Sequence, residues 1–384
     1  MALPALGRVG SHRRPRDTRP TNGVSVSKLV VRLSKILRAA GPALGITLAA
    51  LSALSCCATT PPILGTDGRK LNGSVTALEK VVLNGREEWI SLRGADASAP
   101  LLLFLAGGPG GTDLAAQRRT LGVLEKHFVV VGWDQPGAGK SFRALPHEDL
   151  TLEVYISDAI ALLELLRERF SKEKIYLLGE SWRSYLGVRV AEQRPDLVAA
   201  FFGTGQMVAF RENDAACYEL MLDWARKRGD TKKVETLERQ GPPPYFGKHV
   251  ARRLSAFLLD TWDYMRTERG IPGSGGTIDD ILSPEYRFRD RIAFIKGILK
   301  TLDAFYPRLW EEDLRRTSTR LEVPAYFLIG RHDINASVPL CEEYFSLLQA
   351  PAKELVYFER SGHNPWSSEP ELFVREVLRF AGME

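Results

Sequence analysis

Ile175-Tyr176-Leu177-Leu178-Gly179-Glu180-Ser181-Trp182-Arg183-Ser184 is the stretch on which the reading of this chain turns. Its unbroken apolar start suits a parallel strand buried on both faces. Gly-x-Ser follows at once, and a helical pattern follows that. In such a setting a serine is expected on a sharp turn that lifts its hydroxyl above the sheet. The small residue two places before it lets the backbone fold tightly. The helix beginning just after it aims N–H groups and a positive dipole end at a developing oxyanion. One position departs from the pattern: a small residue belongs fifth in Gly-x-Ser-x-Gly, and Arg183 stands there. Two readings follow. Either the helix start leans to accommodate the side chain, or Ser181 ends a strand with no special geometry.

A serine nucleophile needs a histidine base, and the base needs a carboxylate to fix its tautomer and stabilise its charged form. Sheet-borne serine hydrolases collect these in the order Ser, acid, His, each after a late strand. Gly330-Arg331-His332-Asp333 follows the apolar run Ala325–Ile329, and Ser361-Gly362-His363-Asn364-Pro365 follows Leu355–Phe358. Asp333 and His363 therefore fall where the order demands. Of the other five histidines, His12 is in the leader and His127, His147 and His249 follow no late strand; His332 adjoins the acid. A second oxyanion donor is expected from Leu105-Ala106-Gly107-Gly108-Pro109-Gly110-Gly111, where glycines let amides face a substrate oxygen. The backbone N–H groups of Gly108 and Trp182 are the candidates.

Working outward, Val81–Leu83, Asn84-Gly85 and Trp89–Leu92 read as a hairpin with a tight turn. The runs Leu101–Leu105, Phe128–Val131 and Val198–Phe202 add buried strands. A helix follows Thr151, a suitable N-cap, with Ile156, Ile160 and Leu163 on one stripe. Ser368-Glu369-Pro370-Glu371 reads as a capping box before a last helix, Leu372 to Phe380. Strand and helix alternate, which predicts an α/β fold: a mostly parallel sheet with helices on both faces. The alternation lapses over 206–317, a stretch rich in aromatics, and this predicts a helical cap between two late strands. The expected division is a leader over 1–58, core over 59–205, cap over 206–317 and core again over 318–384.

The chain has 384 residues, 44% hydrophobic and 26% charged, which excludes a disordered, collagen-like or multi-span membrane protein. Its net charge of +5 is unevenly placed. Residues 1–38 hold nine Lys/Arg and one acid, Asp17, whereas the remainder holds 43 Lys/Arg against 46 acids. The body is slightly acidic and no nucleic-acid partner is expected. After the basic leader comes an uncharged stretch, Ala39 to Ser55, with the pattern of a secretory signal. Cys56 after Ser55 resembles the lipid-attachment cysteine of bacterial lipoproteins; the alternatives are a cleaved signal and an uncleaved anchor. Export is expected on each of these readings, with a membrane tether through the leader or a lipid on two of them. Cys217 and Cys341 read as buried free thiols. Gly139-Lys140-Ser141 is no phosphate loop, because Asp134 stands where the first glycine belongs. No dinucleotide fingerprint and no Cys/His cluster occurs, so neither cofactor nor metal is expected.

Gly107-Gly108-Pro109-Gly110, Asp134-Gln135-Pro136-Gly137-Ala138-Gly139-Lys140-Ser141, Gly179-Glu180-Ser181-Trp182 and Ser361-Gly362-His363-Asn364-Pro365 together resemble the proline iminopeptidase branch of the α/β-hydrolases. The likeness runs from about Val75 to the C-terminus. It implies the α/β-hydrolase fold with an inserted helical cap, and a serine hydrolase that frees an N-terminal residue, proline above all, from short peptides. Cap acids hold the substrate's free amine in that family, and Glu212 is the candidate here. The chain departs from the pattern at Ala106, where a His is usual, at Pro136, where Arg is frequent, and at Arg183. Relatives in the branch also act on esters, so a carboxylesterase or lactonase on the same triad is the alternative. A catalytically silent hydrolase fold used as a binding module is a third, resting on Arg183 alone.

Overall fold

The computed structural model describes residues 58–105, 107–112, 114–271 and 277–383. The leader expectations, Cys56 among them, lie outside the described residues. Among the described residues no helix is long and apolar enough to cross a membrane.

The hairpin forms as its turn chemistry dictates. Strands β1 (Val75–Leu83) and β2 (Arg86–Gly94) pair antiparallel around Asn84 and Gly85, both at positive φ. The six apolar runs become β3 (Leu101–Leu105), β4 (Val129–Asp134), β5 (Ile175–Glu180), β6 (Val198–Thr204), β7 (Ala325–Gly330) and β8 (Lys353–Phe358). One sheet holds all eight in the order β1-β2-β4-β3-β5-β6-β7-β8. β2 meets β4 antiparallel, and every later neighbour is parallel.

The strands lack polar alternation because both faces are covered. Leu101, Leu103 and Leu105 of β3 join one core, and Leu102 and Phe104 join the other. The first core lies beneath helices α2 (Leu152–Phe170) and α3 (Trp182–Gln193). The second takes Ala116 of α1 (Leu114–Thr120) and Phe373, Val374 and Val377 of α12 (Pro370–Phe380). Thr151 caps α2 as expected, its hydroxyl accepting the Val154 N–H at 3.2 Å. The Ser368 capping box does not form. Ser368 ends a short preceding helix, α11 (Pro365–Ser368), where its hydroxyl donates back to Asn364 C=O at 3.0 Å, while Glu369 accepts from the Ser361 hydroxyl (2.6 Å) and the Arg360 N–H (3.0 Å). Cys217 and Cys341, the latter on α10 (Val338–Leu347), are free and buried.

Between β6 and β7 the described residues hold helices and no sheet strand: α4 (Phe210–Lys227), α5 (Thr231–Gln240), α6 (Val250–Arg269), α7 (Thr277–Ile281), α8 (Phe288–Ala304) and α9 (Leu314–Thr317). The chain enters and leaves this insertion side by side, through a bridge between Ala209 and Asp313 and a Leu314 N–H to Val208 C=O bond of 3.0 Å. Most of its aromatics pack on one another, as in the edge-to-face pairs Tyr218–Phe257, Trp224–Tyr264 and Tyr306–Trp310. The first described residues lie against the insertion: the Thr59 N–H reaches Pro284 C=O at 3.1 Å, and the Thr60 hydroxyl reaches Glu285 at 3.2 Å.

One buried polar cluster sits under the hairpin. Asp158 of α2 accepts from Asn84 at 2.8 Å and from Arg86, and Glu88 accepts from the Trp133 indole at 2.7 Å. Burial and the neighbouring Asp158 push the Glu88 carboxyl well above the carboxylate range.

Candidate active site

Glu180 and Ser181 stand where β5 becomes α3, and Ser181 carries the strain of that junction at φ 56°, ψ −133°. Backbone strain of this kind costs on the order of 1–3 kcal/mol and persists only where the surroundings enforce it. Here they do. The Ser181 N–H is tied to Thr204 C=O at the end of β6 (3.0 Å), while the Ser184 N–H (2.8 Å) and hydroxyl (2.5 Å) both donate to Ser181 C=O. Gly179 is required on steric grounds, since a Cβ there would lie 2.6 Å from the Arg183 carbonyl oxygen. Of the two readings of Ser181, the structure takes the strained turn.

Asp333 follows β7 and His363 follows β8, and the two meet. Asp333 Oδ2 lies 2.9 Å from His363 Nδ1, with both side chains buried. The other carboxylate oxygen accepts the N–H groups of Asn335 (2.8 Å) and Ala336 (2.9 Å), which fixes its orientation. Burial opposes a charge on His363, but the Asp333 carboxylate, its hydrogen bond and the nearby Glu180 outweigh it and raise the imidazole above its ordinary value. Gly330 lets the two loops touch, because a Cβ there would collide with Gly362 C=O. From the insertion, Trp262 of α6 sets its ring edge-to-face against His363, centroids 5.7 Å apart. Among the described residues the Ser181 hydroxyl makes no hydrogen bond. Such contacts are often loose before substrate binds.

The glycine loop is held from below by the two residues that flank Ser181–Trp182. Glu180 accepts the Gly107 N–H at 3.0 Å and also the side chains of Asn364 and Trp366, the latter at 3.1 Å. Arg183 is 1% exposed. It donates to Gly107 C=O (2.7 Å), Gly111 C=O (3.2 Å) and the Gln135 side chain (2.7 Å). Sequence reasoning missed both roles, since their partners lie far away in the chain and no local pattern announces them. Asp134 serves the same region: buried, pushed up to about 6 by burial, it accepts from Thr112, the Lys140 N–H (2.7 Å) and Tyr286 (3.0 Å).

Glu212 is not drawn into this assembly. Its side chain is 57% exposed and pairs with Arg315 at 2.6 Å on the outer surface of α4. Two residues on, Asp214 is buried and pushed up to about 7, with Asn213 and Tyr306 donating to it.

A parallel sheet with a serine on a strained strand-to-helix turn, and an acid–histidine pair after two later strands, is the architecture of a sheet-borne hydrolase. The chain belongs to the α/β-hydrolase fold family, whose model matches residues 100–366. Within that family it is similar to proteins named as aminopeptidases and proline iminopeptidases. A probable aminopeptidase of Bacillus subtilis (strain 168), YbaC, is 29% identical over 313 residues, covering 80% of this chain and 97% of that protein. A proline iminopeptidase of Heyndrickxia coagulans is 23% identical over 289 residues, covering 73% and 89%. The solved structure of a proline iminopeptidase-related protein from Thermus thermophilus superposes with a TM-score of 0.52 at 22% identity, over 79% of this chain and 96% of that one. At that identity the likeness speaks to the fold alone.

Proposed function

We propose that this chain is a serine hydrolase of the proline iminopeptidase type, releasing an N-terminal residue from short peptides through an acyl-enzyme on Ser181. The observation that carries the reading is the buried 2.9 Å Asp333–His363 pair together with a serine held in a strained turn, their neighbours Asn364 and Glu180 being hydrogen-bonded to each other. In this reaction Ser181 Oγ attacks the substrate carbonyl as His363 Nε2 takes its proton, and Asp333 holds the Nδ1–H tautomer. The Gly108 and Trp182 amides receive the oxyanion, and His363 returns the proton to the leaving amine. Water then repeats the sequence on the acyl-enzyme. The aminopeptidase names of the similar proteins support a peptide substrate.

Glu212's place on the outer surface leaves the amine-binding acid unassigned, which favours carboxylesterase or lactonase activity as the second reading. Turnover of prolyl- and alanyl-arylamides against short acyl esters separates the two. A fluorophosphonate probe, with the adduct located by peptide mass, tests the chemistry itself. Labelling at Ser181, lost in Ser181→Ala and His363→Ala, is the expected result. A folded protein that takes no label is the silent binding module. The basic and then apolar leader ending at Cys56 supports export with a membrane tether; fractionation of cells expressing Cys56→Ser tests it.

A further inference from the structure

The residue that breaks the Gly-x-Ser-x-Gly pattern has a definite place in the structure. We propose that Arg183, with Glu180, is a positioning residue for the oxyanion hole, aiming the Gly108 N–H at the substrate by gripping the peptide units on either side of Gly107. The inference rests on the reading of Ser181 as nucleophile and Gly108 as oxyanion donor.

In a trans peptide the C=O and N–H point to opposite sides of the chain. Arg183 takes Gly107 C=O at 2.7 Å, so the N–H of the same peptide unit, that of Gly108, is turned away from the guanidinium. Glu180 takes the Gly107 N–H at 3.0 Å, which removes that neighbouring donor from competition. Among the described residues the Gly108 N–H has no partner. Arg183 also holds Gly111 C=O at 3.2 Å, gripping the loop at both ends, while Gln135 and the Trp182 ring, 5.5 Å from the guanidinium carbon, fix the guanidinium itself. The nucleophile turn and the oxyanion arm are thus built from one segment: Glu180 and Arg183 hold the arm, Ser181 attacks, and Trp182 supplies the other amide. A cation on the carbonyl side also polarises the peptide and strengthens the N–H as a donor.

The test compares wild type, Arg183→Met and Arg183→Lys by the rate of fluorophosphonate labelling per site and by kcat and KM on the best arylamide or ester. Lysine keeps the charge but cannot reach both carbonyls and Gln135 at once. Loss of one oxyanion donor costs roughly 10²–10³-fold in kcat. For Arg183→Met we expect a fall of about that order in labelling rate and kcat, with KM within about two-fold and the acid limb of the pH profile unmoved. Arg183→Lys is expected to lie between. A merely structural role would lower the fraction of protein that labels and leave the rate per labelled site intact, and that result overturns the proposal. Should Arg183→Met fail to fold, the rate per site in Arg183→Lys decides by the same comparison. Wild type that does not label at Ser181 overturns the nucleophile reading, and the inference falls with it.

Discussion

Glu180 sits one residue from the serine and carries a charge that reaches His363. The imidazole must be neutral to accept the serine proton, so kcat/KM falls as pH drops through its ionisation. Burial lowers that ionisation, Asp333 and then Glu180 raise it, and the net result lies above the ordinary histidine value. In Glu180→Gln the charge is gone, and one accepting oxygen becomes an N–H donor, so either the bond from Gly107 or those from Asn364 and Trp366 are lost with it. The acid limb of the kcat/KM profile is therefore expected at lower pH than in wild type; an unmoved limb would show that Glu180 acts through geometry alone. At this scale the sequence was partly legible. Asp333 and His363 could be paired because chain order and strand ends constrain them. Arg183 read as a defect because a guanidinium's value depends on which carbonyls the fold brings to it.

Single elements show the same division. Thr151 before α2 announced its role locally, and the bond to the Val154 N–H is there. Thr151→Ala is expected to destabilise the protein by about 1 kcal/mol with activity per folded molecule unchanged, as measured by urea unfolding. The Ser368 motif announced a cap just as clearly and failed, because the Ser368 hydroxyl donates to Asn364 C=O in the helix before it. A local cap is a weak preference, and a carbonyl one turn back outcompetes it. The runs that became β3 to β8 were legible to within three residues at each end, since burial on both faces writes itself into unbroken apolar sequence.

At the scale of the whole molecule, four buried acids among the described residues bind protons more tightly than an unfolded chain would. Glu88 is pushed up by burial and by Asp158, and burial pushes Asp134 and Asp280 to about 6 and Asp214 to about 7. Each binds more protons folded than unfolded, so stability is greatest below the ordinary carboxylate range and is lost as pH rises through the raised values. His363, raised in the fold, acts in the same direction above pH 6.5. The melting temperature is expected to fall between about pH 5.5 and pH 8, and Glu88→Gln to flatten that slope. A slope unchanged in the variant would remove Glu88 from the account. None of this was legible beforehand, since the polarity of a carboxyl's surroundings is a property of the folded interior. The approach of Thr59 to Pro284 has a consequence of another kind, for it splices the start of the described chain to the insertion. Thr60 bridges Glu285 of the insertion and Arg93 of β2, so a pull on the first described residues is shared between two parts of the fold that are far apart in sequence.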